Sequence, residues 1–233
     1  MREFWDARAA EDAFYFVDNR LEYGQPETER FWAGGREVLD VMLPLLGVRV
    51  EPGDRIVEIG CGVGRVTRHL VDRGATVTAV DVSPRMLARA RELNPKLANV
   101  EWTLGDGRTL SAIASASVDA CFSHVVFQHL PDPEITLGYV REIGRVLRPG
   151  GWAALHVSNQ PEIHRRPSPW RRLLARARDT TGRGPRGQTD PAWLGSAVDL
   201  SRLRETADGA NMETERVAGE GTQHCLVLLR ART

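Results

Sequence analysis

The stretch RIVEIGCGVGRVTR, Arg55–Arg68, decides how this chain folds. A β-branched run carrying the acidic Glu58 breaks into glycine at 60, 62 and 64, with Cys61 between the first two, and then resumes with helical spacing. That is the form of a strand passing into a helix through a bend without Cβ atoms, where the backbone turns tightly and a ligand can lie directly against it.

The same alternation continues outward. TVTAVD (76–81) reads as a second strand, and Ser83 to Leu93 as a helix with Ser83 at its N-cap and Pro84 at its first position. VEWTLGD (100–106) and VDACFSH (118–124) read as strands, Thr136 to Leu147 as a helix closed by RPGG, and WAALHVS (152–158) as a fifth strand. The helix after the glycine bend is expected over Gly64 to Arg73, ended by Gly74. Strands alternating with helices predict a doubly wound α/β fold, a mostly parallel sheet with helices on both faces. Two late runs, METERVAG and HCLVLLRA, predict an antiparallel hairpin on the sheet edge. The expected plan is a helical cap or lid over residues 1–54, a core over 55–158, an Arg/Pro/Gly-rich insertion over 159–198 and a last helix with the hairpin over 199–233, all within one domain.

Length and charge are consistent with that plan. A chain of 233 residues suits one domain, and 31 basic against 31 acidic residues leave no net field to draw it to nucleic acid or lipid. Cys61, Cys121 and Cys225 are scattered in apolar or glycine-rich contexts, which points to reduced thiols rather than disulfides or zinc. The longest apolar run, Val41 to Val48, is too short to span a membrane, and a cytoplasmic protein is expected. Lys96 is the only lysine among the 31 basic residues, so arginine clusters here carry less meaning than usual.

The bend also narrows the ligand. Asp81 ends the second strand, where a carboxylate accepts from both hydroxyls of a ribose. The dinucleotide pattern would need glycine at 65, which is Arg65, and no lysine is present for a phosphate-binding loop. Glu58 beside the bend would repel a pyrophosphate and suit a cation. S-adenosylmethionine, an adenosine derivative with sulfonium and ammonium groups, meets these conditions.

From Arg55 to Val157 the chain resembles the core of the class I S-adenosylmethionine-dependent methyltransferases. VEIGCGVGR, VDVSPRMLARAR, GDGRTL, VDACFSHVVFQHLPDP and REIGRVLRPGGWAALHV carry the likeness in the family's order. The resemblance implies seven strands and a cofactor site. Gly60, Cys61, Gly62 and Gly64 would form the floor under the methionine part, with Glu58 supporting the loop or the ligand's ammonium. Asp81 would hold the ribose, while Val82 and Met86 would pack on the adenine. Asp106 would accept from the exocyclic amine, the Gly107 amide would meet a ring nitrogen, and Ser123 and His124 would lie beside the methionine amine. The product would be S-adenosylhomocysteine, and no metal is implied.

His129 is the main candidate general base and His124 a second, since imidazole titrates in the useful range. His69 is expected to be exposed. The segment Ile163 to Arg186 holds eight arginines against Asp179 and is expected to form a substrate lid, with Trp5, Phe14, Tyr15 and Phe16 forming the other half. The expected activity is methyl transfer to an oxygen or nitrogen of a small molecule or modified peptide, in secondary metabolism or a related pathway. Neutral overall charge disfavours nucleic acid and membrane partners, and the oligomeric state is left open. An RNA-modifying enzyme using the basic 163–186 segment and a nicotinamide-dependent oxidoreductase are the alternative readings.

Overall fold

The structure is a computed structural model that describes residues 1–25, 27–165, 170 and 185–233. Its strands are β1 (Arg55–Ile59), β2 (Thr76–Asp81), β3 (Val100–Leu104), β4 (Val118–Ser123), β5 (Leu147–Val157), β6 (Met212–Ala218) and β7 (Cys225–Ala231). All seven join one sheet in the order β3-β2-β1-β4-β5-β7-β6. The first five run parallel, and β7 is antiparallel to both β5 and β6. The doubly wound sheet with a terminal hairpin is therefore present as the sequence predicts. Around it lie α1 (Arg2–Val17), α2 (Thr28–Leu46), α3 (Thr67–Asp72), α4 (Pro84–Leu93), α5 (Pro133–Val146), α6 (Pro191–Leu194) and α7 (Leu200–Gly209).

Boundaries shift where local chemistry overrides periodicity. The helix after the bend starts at Thr67 instead of Gly64, because positive φ at all three glycines holds the chain out of the right-handed helical region. The helix expected from Thr136 starts three residues earlier, where the Asp132 carboxylate accepts from the Glu134 amide at 2.9 Å and Pro133 presets the first helical φ. In β5 the pairing jumps from Val118–Leu147 to Ala120–Trp152, so the RPGG run is an irregularity within the strand and not a break before it. The Ser83 cap on α4 stands where predicted, accepting from the Met86 amide at 3.1 Å.

Strand alternation divides the core in two. Val57, Ile59, Cys121 and Leu155 face α5 and α7 through Val140, Ile143 and Leu203. Ile56, Val77, Ala120 and Phe122 face the other layer, through Leu39 and Met42 of α2, Leu70 of α3 and Leu87 of α4. A smaller cluster of Ala13, Phe14, Phe31, Val63 and Met86 ties α1 and α2 to the glycine bend. Each such aliphatic or aromatic side chain adds about 2 kcal/mol through burial. The three cysteines are buried and free. No helix among the described residues is long and apolar enough to cross a membrane.

The backbone of α2 passes unusually close to the bend. A Cβ on Gly35 would lie 2.1 Å from the Arg65 carbonyl oxygen. Glycine to alanine normally favours a helix, so the sign of the substitution is diagnostic. We expect Gly35→Ala to destabilise by about 1–3 kcal/mol, the cost of overpacking, while Gly209→Ala, with nothing within 4 Å of the new atom, holds or slightly raises the melting temperature. Thermal unfolding of both variants checks this.

Candidate functional site

The strands reverse direction of travel across the sheet between β1 and β4, and a cavity opens beyond the carboxyl ends of β1, β2 and β4 at that point. The space between its walls, open solvent at the mouth included, is about 970 Å³. Glu58, Gly60, Cys61, Gly62, Asp81, Val82, Met86, Gly107, His124 and His129 all line it.

The glycine bend forms the floor. Gly60 and Gly62 sit at φ 77° and 54°. A Cβ on Gly60 would meet Val126 Cγ2 at 2.3 Å, and one on Gly62 would meet Val17 Cγ2 at 2.8 Å. The Gly60 and Cys61 amides both donate to the Val80 carbonyl, at 2.7 and 3.0 Å, which fixes the bend to β2. The Gly62 amide donates to Asp81 Oδ2 at 2.8 Å and the Ser83 amide to Oδ1 at 2.9 Å. Each oxygen of Asp81 thus holds one amide and keeps acceptor capacity for a ligand. Burial raises the pKa of Asp81 against the pull of those amides.

Glu58 lies deeper. It is 3% exposed and accepts one side-chain bond, from Thr67 Oγ1 at 2.5 Å. Burial pushes its pKa up to about 8, although Thr67 and Arg65 act in the opposite direction.

The opposite wall is strained. Val125, just past β4, has φ 58°, a region that β-branched residues avoid. His156 holds it there, accepting from the Val125 amide through Nδ1 at 3.0 Å and donating from Nε2 to the Gln223 carbonyl at 2.9 Å. His124 stacks on His156 at 5.1 Å between ring centroids. Its Nδ1 is buried without a partner, and burial together with His156 pushes its pKa down to about 2. The ring is neutral.

An aromatic roof covers the cavity. Trp5 and Phe16 of α1 line it. Trp193 of α6 packs against Phe16 at 5.6 Å and against His129 at 5.4 Å. His129 Nδ1 donates to the Trp193 carbonyl at 2.9 Å, which leaves Nε2 to accept from Gln128 Nε2 at 3.2 Å. Burial pushes the His129 pKa down to about 4. Two anchors hold α1 over the site. Arg2 donates to the Gly105 carbonyl at 2.9 Å, and the Asp6 carboxylate accepts from Ser83 Oγ and the Arg85 amide at 2.9 and 3.0 Å.

Several expectations fall elsewhere. Gly64 faces Trp102 and Asn94, away from the cavity. Ser123 is fully buried and donates to the Ile59 carbonyl at 2.9 Å, so it joins β4 to β1. Asp106 is turned out of the cavity. Its Oδ1 accepts from the Arg108 and Thr109 amides, both at 2.7 Å, and its Oδ2 from Thr109 Oγ1 at 2.6 Å, so the carboxylate closes its own turn. Phe14 packs on Phe31 at 4.7 Å and Tyr15 against Tyr23 at 5.3 Å, leaving Trp5 and Phe16 as the roof. His69 is buried, with Nε2 at 2.9 Å from the Trp32 carbonyl. The basic lid expected at 163–186 lies outside the described residues, apart from Ile163–Arg165, Trp170, Pro185 and Arg186. Conversely, Met1, Arg65, Tyr139 and Trp193 join the site or its roof without having been singled out in the sequence for that role. Arg65 had one signal, a charged residue directly after the last glycine.

The raised pKa of Glu58 has a sign that can be measured. Between the ordinary glutamate value and about 8, the folded chain keeps a proton that the unfolded chain has lost, so this group's contribution to stability falls as pH rises through that window. We expect Glu58→Gln to gain melting temperature relative to the wild type from pH 5 to about 8 and to hold a constant difference above it. Parallel melting curves across that range would contradict the assignment.

Comparison with known proteins agrees with this geometry. Residues 57–155 match a family described as Methyltransferase domain. A trans-aconitate 2-methyltransferase from an Azoarcus species is 38% identical over 142 residues, 58% of this chain and 53% of that protein. A ubiquinone biosynthesis O-methyltransferase from Xanthomonas campestris is 32% identical over 123 residues, 52% of this chain and 50% of that protein. The matched region thus spans about half the length of these two relatives. Among solved structures, a chain from the complex that contains the Haloferax volcanii Trm112 methyltransferase activator superposes with a TM-score of 0.65 at 22% identity, covering 98% of both chains. Sheet order and glycine bend thus accompany a match of residues 57–155 to a family described as Methyltransferase domain, and the fold is one shared with that solved structure.

Proposed function

We propose that this chain is an S-adenosylmethionine-dependent methyltransferase acting on an oxygen or nitrogen of a small molecule or modified peptide. The observation that carries this reading is a single cavity, walled by the matched domain and by α1, that brings a side-chain-free bend against two carboxylates, the buried Glu58 and the half-buried Asp81.

The residues present fit the cofactor. Cβ atoms at Gly60 and Gly62 would stand 2.3 Å from Val126 Cγ2 and 2.8 Å from Val17 Cγ2, closer than any contact allows, so backbone forms the floor. Asp81 retains acceptor capacity for a ribose diol, and Glu58 has a single hydrogen-bond donor and room for a cationic one. Val82 and Met86 supply apolar faces for a purine. When bound, S-adenosylmethionine supplies a methyl group already activated for in-line displacement. The work left to the chain is alignment and exclusion of water. Trp5, Phe16 and Trp193 serve both ends by closing the roof, and their apolar surfaces favour an acceptor with a flat or apolar body.

His129 is the candidate for taking a proton from the acceptor. The hydrogen bond to Trp193 keeps the proton on Nδ1, so the basic lone pair is on Nε2, where Gln128 now donates. A ring held near a pKa of 4 is neutral across the physiological range. The nicotinamide reading is weakened by Arg65 standing where a dinucleotide loop has its third glycine. The RNA reading rests on the basic segment outside the described residues.

Two outcomes test the proposal. Asp81→Asn keeps the shape but loses the charge and one acceptor, and should weaken S-adenosylhomocysteine binding about 10- to 100-fold by calorimetry while the melting temperature of the free protein stays within a few degrees. Unchanged affinity would remove Asp81 from the ribose. Once an acceptor is found, His129→Asn should lower kcat and remove the acid limb of the pH profile near 4. An unchanged profile would leave His129 as a pin for Trp193.

A further inference from the structure

His124 follows β4 directly and lines the cavity, with β1 between it and the strand that ends in Asp81. Packing fixes its ring, which stacks on His156 at 5.1 Å between centroids with the planes 29° apart. Nδ1 is sealed off with no hydrogen-bond partner. Nε2 has no partner among the described residues either and is left open to the cavity.

The surroundings decide how many protons the ring carries. Burial, His156, Arg65 and Arg20 all oppose a second proton, and Asp18 pulls the other way against them. His156 cannot relay a proton to or from the ring, since its Nδ1 accepts from the Val125 amide and its Nε2 donates to the Gln223 carbonyl. His124 therefore holds one proton and does not act as a base. On Nδ1 that proton would be a buried donor without an acceptor, the orphan that folded chains tolerate least. On Nε2 it faces the cavity.

We propose that His124 orients the methyl acceptor through a fixed Nε2–H, and that the acceptor atom is accordingly an oxygen. This rests on the proposed methyl transfer and turns on lone pairs. A hydroxyl oxygen has two. One forms the bond to the methyl carbon while the carbon–sulfur bond breaks onto sulfur, the oxygen's proton passes to His129 Nε2, and the other accepts from His124. That hydrogen bond strengthens as charge gathers on the oxygen. A neutral amine has a single lone pair, and a donor that occupies it blocks the attack. The wall beyond β4 thus offers one lone pair, from His129, and one N–H, from His124, which together suit a hydroxyl.

Nitrogen NMR of histidine-labelled wild type in complex with S-adenosylhomocysteine reads the proton directly. His124 should carry it on Nε2 and show no titration from about pH 5 to about 9. A proton on Nδ1, or a charged ring within that range, overturns the inference. Phenol and aniline, alike in shape but offering O–H or NH2, serve as acceptor probes. Calorimetry of the same complex should show phenol binding about 3- to 10-fold more tightly than aniline in wild type. His124→Phe, which keeps a ring against His156, should abolish that preference, and His124→Asn, which keeps an N–H, should retain part of it. Equal or absent binding of the two probes to wild type, or a preference that persists in His124→Phe, overturns the inference and leaves the proposed function standing. The wild-type comparison needs no variant to fold. If His124→Phe instead weakens S-adenosylhomocysteine but not 5′-methylthioadenosine, the ring serves the amino-acid end of the cofactor, and the inference is overturned. Failure of folded wild type to bind S-adenosylhomocysteine overturns it together with the proposed function.

Discussion

Two carboxylates near the ends of adjacent parallel strands, Glu58 buried and Asp81 half-buried against a bend with no side chains, set the terms for the rest of this molecule. A carboxyl group removed from water must stay protonated, find donors or await a cation. Asp81 has found donors in the Gly62 and Ser83 amides. Glu58 has one, Thr67, and keeps its proton to about pH 8. The bend is thus held by the same carboxylate that would hold a ribose, and the strand before it carries a group whose ionisation a cationic ligand would favour.

The walls around this floor are maintained by contacts remote from it in sequence. His156 fixes the left-handed Val125, which brings Val126 against Gly60. Asp6 and Arg2 tie α1 to the loops after β2 and β3, and that places Trp5 and Phe16 over the opening. The floor is embedded in the sheet and has little freedom to move.

What could be read in the sequence follows the range of the interactions. The bend, the Ser83 cap and the alternation of strands and helices are set within a few residues, and all are present, the helix and strand boundaries shifting where local chemistry overrides the period. The late hairpin was legible because its two strands alternate around a tight connection. Asp106 is held in its own turn for an equally local reason, as Thr109 three residues on donates to the carboxylate that a ligand was expected to use. The place of Arg65 in the cavity wall was hidden, because it depends on Asp18 and on two glycines of α2 that only folding brings together. Trp193 belongs to a short helix of four residues with no periodicity of its own, and His69 found a carbonyl on α2 that no pattern announces.

The central claim is that the bend and its carboxylates accept a positively charged adenosine derivative and not a dinucleotide. Thermal-shift titration of the folded protein with S-adenosylmethionine, S-adenosylhomocysteine and NAD tests it most directly, since a ligand that binds only the native state raises the melting temperature with its concentration. The account predicts a saturable rise with the two sulfur compounds and none with NAD. A rise with NAD alone would contradict it.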